Sequence, residues 1–141
     1  MTYLLDTHVW LWMLGDPDRI RPELAAELRA NQTRLLLSAV SSWEIAIKWA
    51  IGRLPLPEPP ATYVPSRMQR TNVEPLAVTH SHALQVATLP RHHGDPFDRL
   101  LVAQAQLEGV PLVTVDGALD VYDIETIRAD RNAPGAIDIG V

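Results

Sequence analysis

The sequence predicts an α/β fold, a three-layer α/β/α sandwich around a central, mainly parallel sheet. Short apolar runs such as TYLLD (2–6) and VPLVTVD (110–116) alternate with segments whose apolar residues recur every three or four positions. Strands that alternate with helices are typical of parallel sheets covered on both faces through right-handed crossovers. Hydrophobic residues make up 47% of the 141 residues, which is enough for the core of one domain.

The first half of the chain predicts two strand–helix units with a surface helix between them. TYLLD (2–6) is typical of a buried strand, and VWLWML (9–14) predicts a short helix after it. Pro22 suits the first turn of the surface helix. RLLLS (34–38) is the second strand, and the apolar spacing in residues 39–52 predicts a helix that ends at a glycine.

The second half predicts three more strands and three helical segments. Thr79 is the expected cap of the 79–90 helix and Pro90 its end, with Ala83 and residues 86–89 facing inward. In order, the elements are a proline-rich connection at 53–66, a weak helix reaching 72, a strand at 73–78, the helix at 79–90, a helix begun by Asp95 and Pro96, a strand at 110–116 and an edge strand at 122–129.

Length and composition predict a single domain over residues 1–130 and a loosely ordered tail at 131–141. The chain has no cysteine, which excludes disulfides, zinc thiolate sites and cysteine nucleophiles. The N-terminus has neither a basic leader nor a membrane-spanning apolar run, so we expect a cytoplasmic protein. The net charge of −5 disfavours broad attraction to nucleic acids or membranes, but a bound metal reverses the field of an acidic site.

Several acidic residues have a structural explanation when each is taken alone. Ser41 and Glu44 have the spacing of a capping box at a helix start. Asp95 followed by Pro96 is typical of an N-cap and first helical residue. Asp98 then lies in the first turn, where a negative charge interacts favourably with the helix dipole by roughly 0.3 to 1 kcal/mol.

Taken together, four acidic positions fall on one edge of the predicted sheet. Asp6 and Asp116 end strands, while Glu44 and Asp98 lie near helix starts, and in a parallel sheet these places meet beyond the carboxyl ends of the strands. Four crowded carboxylates would raise one another's pKa values unless cations lay between them. The all-oxygen donor set predicts a site for Mg²⁺ or Mn²⁺, with Asp95 as the helix cap and Asp98 turned to the metal.

Four segments carry a resemblance to a known family. LLDTHVWLW from Leu4, SAVSSWEIAIK from Ser38, LPRHHGDPFDRLLVAQA from Leu89 and LVTVD ending at Asp116 resemble the PIN-domain ribonucleases, specifically the VapC-type toxins of bacterial toxin–antitoxin pairs. The resemblance covers residues 3–125 in the same order, and the four segments together are far more specific than any one. It implies a PIN-like fold, the same three-layer sandwich.

The resemblance also implies roles for the four acids. By this resemblance, Asp6 is expected to be a direct metal ligand, and Asp98 and Asp116 are expected to complete the coordination directly or through water. Glu44 binds the metal or orients its water. The implied activity is an endoribonuclease in which a metal-activated water hydrolyses an RNA phosphodiester, with one or two ions. The implied partners are RNA, a second copy of the chain in a homodimer, and a VapB-type antitoxin whose tail fills the groove.

Other residues are candidates for supporting roles. Asp95 lies in the DPFDR signature, and Thr114 shares a strand face with Asp116 and can orient a carboxylate. Arg99 and Lys48 are candidate RNA contacts, although the spacing of Lys48 from Glu44 serves equally for a helix ion pair. Further basic residues nearby are Arg53, Arg91, His92 and His93. The tryptophans lie in apolar helical patterns, which favours core or dimer packing over base stacking: Trp10, Trp12, Trp43 and Trp49.

Two other functions fit acids at strand ends. A Mg²⁺-dependent phosphatase or receiver-like fold also gathers aspartates there, but it relies on a nucleophilic aspartate, and the glutamate in the helix after the second strand favours the nuclease. A non-catalytic interaction module would use the acids only to cap helices and pair with arginines.

Overall fold

The computed structural model describes residues 1–92 and 94–131, and its centre is a five-stranded sheet. The strands are β1 Thr2–Leu5, β2 Arg34–Ser38, β3 Val73–Leu76, β4 Leu112–Thr114 and β5 Thr126–Arg128. Their order is β3-β2-β1-β4-β5, and every neighbouring pair is parallel. The predicted α/β class is therefore confirmed. Strand β5 is the edge strand that residues 122–129 predicted.

Six α-helices in the described residues cover the sheet. They are α1 Thr7–Gly15, α2 Pro22–Arg29, α3 Ala39–Ala50, α4 Pro60–Thr71, α5 His80–Gln85 and α6 Pro96–Glu108, with 3-10 turns at Pro17–Arg19, Val86–Thr88 and Gly117–Val121. Within the described part of the chain, none of these helices is long and apolar enough to cross a membrane. The predicted tail at 131–141 lies outside the described residues except for Arg131.

Successive side chains along the strands point to opposite faces of the sheet and pack into two separate hydrophobic cores. Leu5 of β1 packs with Trp10 and with residues of α2 and α4, whereas Leu4 packs with Leu101 and other residues of α6. This follows from the period of two in a strand, which directs successive side chains to opposite faces. Trp10 is fully buried and its indole N–H donates to Thr71 Oγ1 at 3.2 Å. The sheet is thus the middle of three layers.

The connections place several helix starts at one edge of the sheet, named here the carboxyl edge because the strands end there. Asp6 separates β1 from α1, and β2 runs directly into α3. Helix α6 precedes β4 with a short connection, so α6 runs back along the sheet and begins at the same edge. The first turns of α1, α3 and α6 therefore lie around one rim.

Two local predictions were wrong. The N-cap of α3 is Ser38, whose Oγ accepts from the Val40 N–H, so Ser41 lies inside the helix and forms no capping box with Glu44. In α5, Ala83 is exposed and His82 is the buried residue. The capping box belongs to this helix, since the Thr79 side chain accepts from the His82 N–H while His82 Nδ1 accepts from the Thr79 N–H.

The proline-rich connection is shorter than predicted. Helix α4 begins at Pro60, which occupies a first-turn position where no helical hydrogen bond from its nitrogen is needed. Pro65 lies inside the helix, where its missing N–H removes one hydrogen bond close to the N-terminal end. Burial of Tyr63 and Val64 against the sheet offsets that loss.

Two glycines provide a matched test of this backbone geometry. Gly109 ends α6 with φ of 66°, a left-handed conformation, whereas Gly15 at the end of α1 has no positive φ, and a Cβ on either glycine meets nothing within 4 Å. We expect Gly109→Ala to destabilise the fold by about 1–2 kcal/mol and Gly15→Ala to be neutral or to stabilise it by roughly 0.4–1 kcal/mol. Urea unfolding of both variants measures the difference, and equal effects would contradict the assigned backbone conformations.

Candidate active site

Asp6 is the buried carboxylate at the centre of the carboxyl edge. Its side chain is 3% exposed, and its Oδ2 accepts a hydrogen bond from Thr114 Oγ1 at 2.7 Å. Its Oδ1 accepts from the His8 N–H at 3.3 Å, which makes Asp6 the N-cap of α1. The aspartate therefore connects the end of β1 to the end of β4 and also begins the first helix.

Burial is the main influence on the charge of Asp6. Desolvation raises the pKa of the Asp6 carboxyl above its ordinary value, and the nearby negative charge of Glu44 raises it further. The hydrogen bond from Thr114 and the charge of His8 act in the opposite direction. A carboxylate held in this way gains from any cation that approaches it, because the cation replaces the solvation that burial removed.

Glu44 is the second buried acid, and it lies one turn into α3. It is 5% exposed, and its Oε2 pairs with Lys48 Nζ at 2.7 Å. A buried hydrogen bond of 2.8 Å from Thr7 Oγ1 to Ser41 Oγ joins the first turns of α1 and α3. Sequence reasoning missed this contact because it assigned Ser41 to a cap. The bond fixes the helix of Glu44 against the residue that follows Asp6.

Asp116 continues the same hydrogen-bonded chain beyond β4. Its backbone N–H donates to Thr114 Oγ1 at 3.1 Å, and its Oδ1 accepts from the Ala118 N–H at 2.9 Å. Thr114 is fully buried and uses one hydroxyl to accept from Asp116 and to donate to Asp6. Thr114 therefore holds a carboxylate in position, as the sequence analysis allowed.

Asp95 and Asp98 lie at the start of α6. Asp95 is the N-cap, with its Oδ1 accepting from the N–H groups of Phe97 at 2.8 Å and Asp98 at 3.3 Å. Asp98 is half-buried in the first turn. Trp43 of α3 contacts Phe97 edge to face with ring centroids 5.1 Å apart, so α3 and α6 pack together beside the site.

The donor set fits a hard divalent cation, but the described residues do not form a closed cage. Among residues 1–92 and 94–131, no three Asp, Glu or His side chains are close enough to make a preformed metal site. Asp6 and Glu44 form the acidic pair, and Lys48 supplies the positive charge beside Glu44. Mg²⁺ usually keeps several waters and takes only one or two carboxylates, so the chemistry of the donors suits it. That all four acids surround one ion stays a prediction.

Arg99 has a structural use that the sequence did not indicate. Its guanidinium donates to the carbonyl oxygens of Pro90 at 2.9 Å and Val86 at 3.3 Å, and to the Tyr122 hydroxyl at 3.3 Å. These bonds hold the segment before α6 against the 3-10 turn after β4. The geometry therefore favours a positioning role for Arg99, while RNA contact stays a prediction. Arg91 and His92 are exposed, and His93 lies outside the described residues.

The comparisons with known proteins agree with this architecture. A family model described as "PIN domain" matches residues 3–125. The chain therefore belongs to the PIN domain family. Ribonuclease VapC22 of Mycobacterium tuberculosis is 32% identical over 119 residues, which cover 84% of this chain and 89% of that protein. Ribonuclease VapC16 of the same species is 50% identical over 70 residues, but the match spans only 49% of its length and 43% of this chain.

Solved structures show the same fold at low sequence identity. A chain in the crystal structure of VapBC2 from Rickettsia felis bound to a DNA fragment from their promoter has a TM-score of 0.70 and 17% identity, covering 92% of this chain and 100% of that one. VapBC-5 from Mycobacterium tuberculosis, from the VapBC family of toxin-antitoxin systems, has a TM-score of 0.57 and 17% identity, covering 91% and 98%.

The raised pKa of Asp6 predicts how stability varies with pH. The folded protein holds the Asp6 proton at higher pH than the unfolded chain does, so stability falls as pH rises from the ordinary aspartate pKa through the raised one. We expect Asp6→Asn to remove this fall, while Asp123→Asn, at an exposed position, keeps it. Urea unfolding at several pH values with a chelator present tests this. Parallel curves for the native chain and Asp6→Asn would contradict it.

Proposed function

We propose that this chain is a divalent-metal-dependent endoribonuclease that acts as the toxin of a toxin–antitoxin pair. The observation that carries the proposal is the buried Asp6 carboxylate, held by Thr114 beside Glu44 at the carboxyl edge of a PIN domain. Ligand sites in open parallel sheets lie at this edge. The relatives named Ribonuclease VapC16 and Ribonuclease VapC22 support RNA as the substrate class.

The residues proposed to hold Mg²⁺ or Mn²⁺ are Asp6, Glu44, Asp98 and Asp116. When bound, such an ion supplies an activated water and neutralises charge on the scissile phosphate. Thr114 keeps the Asp6 carboxylate oriented through its 2.7 Å hydrogen bond. The Asp95 carboxylate accepts hydrogen bonds from the first N–H groups of α6, so Asp98 is not needed to cap this helix. No protein nucleophile is required.

The nuclease proposal is tested by charge removal at constant size. We expect Asp6→Asn and Glu44→Gln each to lower RNA cleavage more than about 100-fold, because metal ligands contribute more than the 10- to 100-fold typical of residues behind them. Glu125→Gln is the matched control at an exposed position away from the edge. The measurement is the cleavage of purified RNA with Mg²⁺, with and without a chelator. Full activity in both site variants, or activity that survives chelation, would overturn the proposal.

We further propose a homodimer and a VapB-type antitoxin as partners. Helix α3 and its C-cap residue Ile51 expose one apolar face formed by Trp43, Ile47 and Ile51, which are 56%, 36% and 60% exposed. These residues are four apart, so they form a single stripe on the helix. A stripe of this kind is unusual on an isolated domain and is typical of a protein–protein interface. The fold shared with chains of VapBC complexes supports the antitoxin.

A charge placed in the stripe tests the dimer. We expect Ile47→Glu and Ile51→Glu to convert a dimer into a monomer in sedimentation velocity, since a buried unpaired carboxylate is costly. Leu84→Glu on α5 is the matched control because Leu84 is 71% exposed and lies outside the stripe. A monomeric native chain, or a dimer that both stripe variants leave intact, would overturn this assembly.

A further inference from the structure

A cleft of about 340 Å³ lies between α1 and α3, directly beside the candidate active site. Glu44 forms its acidic side, and three basic residues surround it: His8, Lys48 and Arg53. Leu11 and Leu54 supply apolar walls. We call this the α1–α3 cleft. It shares Glu44 with the proposed metal site, so a molecule in the cleft would be adjacent to the reacting phosphate.

The α1–α3 cleft carries an excess of positive charge in a chain whose net charge is −5. Lys48 offsets Glu44 through the 2.7 Å ion pair, and the ammonium keeps further N–H donors for a second acceptor. Within residues 1–92 and 94–131, the exposed Arg53 guanidinium forms neither an ion pair nor a side-chain hydrogen bond. Arg53 therefore brings an uncompensated cation to the cleft.

The backbone after α3 fixes where Arg53 lies. Gly52 adopts φ of 74°, which turns the chain back at the end of the helix. The Arg53 N–H then donates to the Lys48 carbonyl at 2.8 Å. Both cationic residues therefore line the cleft, Lys48 one turn beyond Glu44 and Arg53 just past the end of α3.

We propose that the α1–α3 cleft is a subsite for one nucleotide of a single-stranded RNA, with a phosphate on Lys48 and Arg53 and a base against Leu11 and Leu54. The inference rests on the proposed ribonuclease function. Sites that bind single-stranded nucleic acid without reading its sequence combine cations for the backbone with a flat, usually aromatic, surface for the base. In this cleft the aliphatic side chains of Leu11 and Leu54 take the place of the aromatic surface. The volume lies at the lower end of the range for small-molecule pockets, which suits a single nucleotide.

A second cleft provides an internal control. It has a volume of about 470 Å³ and also contains two arginines, Arg29 and Arg70. Leu35, near the start of β2, lines it, so this cleft lies at the opposite edge of the sheet from Asp6. Removing charge there changes the net charge of the protein equally but leaves the α1–α3 cleft intact.

The test measures RNA binding separately from cleavage. The protein is the full chain carrying Asp6→Asn, and the probe is a fluorescently labelled single-stranded RNA of about ten nucleotides, titrated by anisotropy at several salt concentrations. In this background we expect Arg53→Gln to weaken binding several-fold and to reduce the salt slope by about 0.7, the value for one lost phosphate contact. Arg53→Lys should retain most of the affinity. Arg29→Gln and Arg70→Gln should match the parent, and circular dichroism checks folding.

The outcomes separate this inference from the function it rests on. If Arg53→Gln binds RNA with the affinity and salt slope of the Arg29→Gln control, the subsite is wrong while the ribonuclease proposal stands. If the substitutions weaken only the binding of an acidic peptide and not of RNA, the cleft is a protein-binding site and the inference is overturned. If the parent binds no RNA at any salt concentration, the subsite is overturned, while cleavage of RNA by the native chain decides the function separately.

Discussion

The hydrogen bond from Thr114 to Asp6 is the contact on which the carboxyl edge depends. It joins the end of the central strand β1 to the end of its neighbour β4 and holds a buried carboxylate whose burial raises its pKa. The same Thr114 hydroxyl accepts from the Asp116 N–H, so a single side chain positions two of the four acids. The hydrogen bond from Thr114 opposes the effect of burial, so without that donor the pKa of Asp6 would be higher still.

Helix capping accounts for some of the acids but not for all of them. Asp6, Asp95 and Asp116 each accept from a backbone N–H at the start of a helix or turn, as a non-catalytic protein would require. Glu44 does not, because Ser38 caps α3 and leaves Glu44 buried one turn further in. Burying a carboxylate beside another carboxylate is costly unless a cation compensates it. Lys48 provides part of that compensation, and the nuclease proposal assigns the remainder to a metal ion.

The sequence predicted what depends on local pattern and missed what depends on packing. Short apolar runs between helical segments predicted the five strands and the α/β class. Asp95 followed by Pro96 correctly predicted the start of α6. Both features depend only on neighbouring residues. The cap of α3 was misplaced by three residues because both Ser38 and Ser41 suit a helix start. The bond between Thr7 and Ser41, 34 residues apart, has no local pattern at all. The carbonyl contacts of Arg99 were missed for the same reason.

The central claim is that a divalent cation binds at the carboxyl edge between acids that are distant in the sequence. The most direct measurement is a crystal structure of the protein with Mn²⁺, in which anomalous scattering locates the ion without reference to activity. The account predicts an Mn²⁺ peak within coordination distance of Asp6, with Glu44, Asp98 or Asp116 as a further ligand or held through a bound water. No peak at Asp6 at millimolar Mn²⁺, or a peak only at other surfaces, would contradict it.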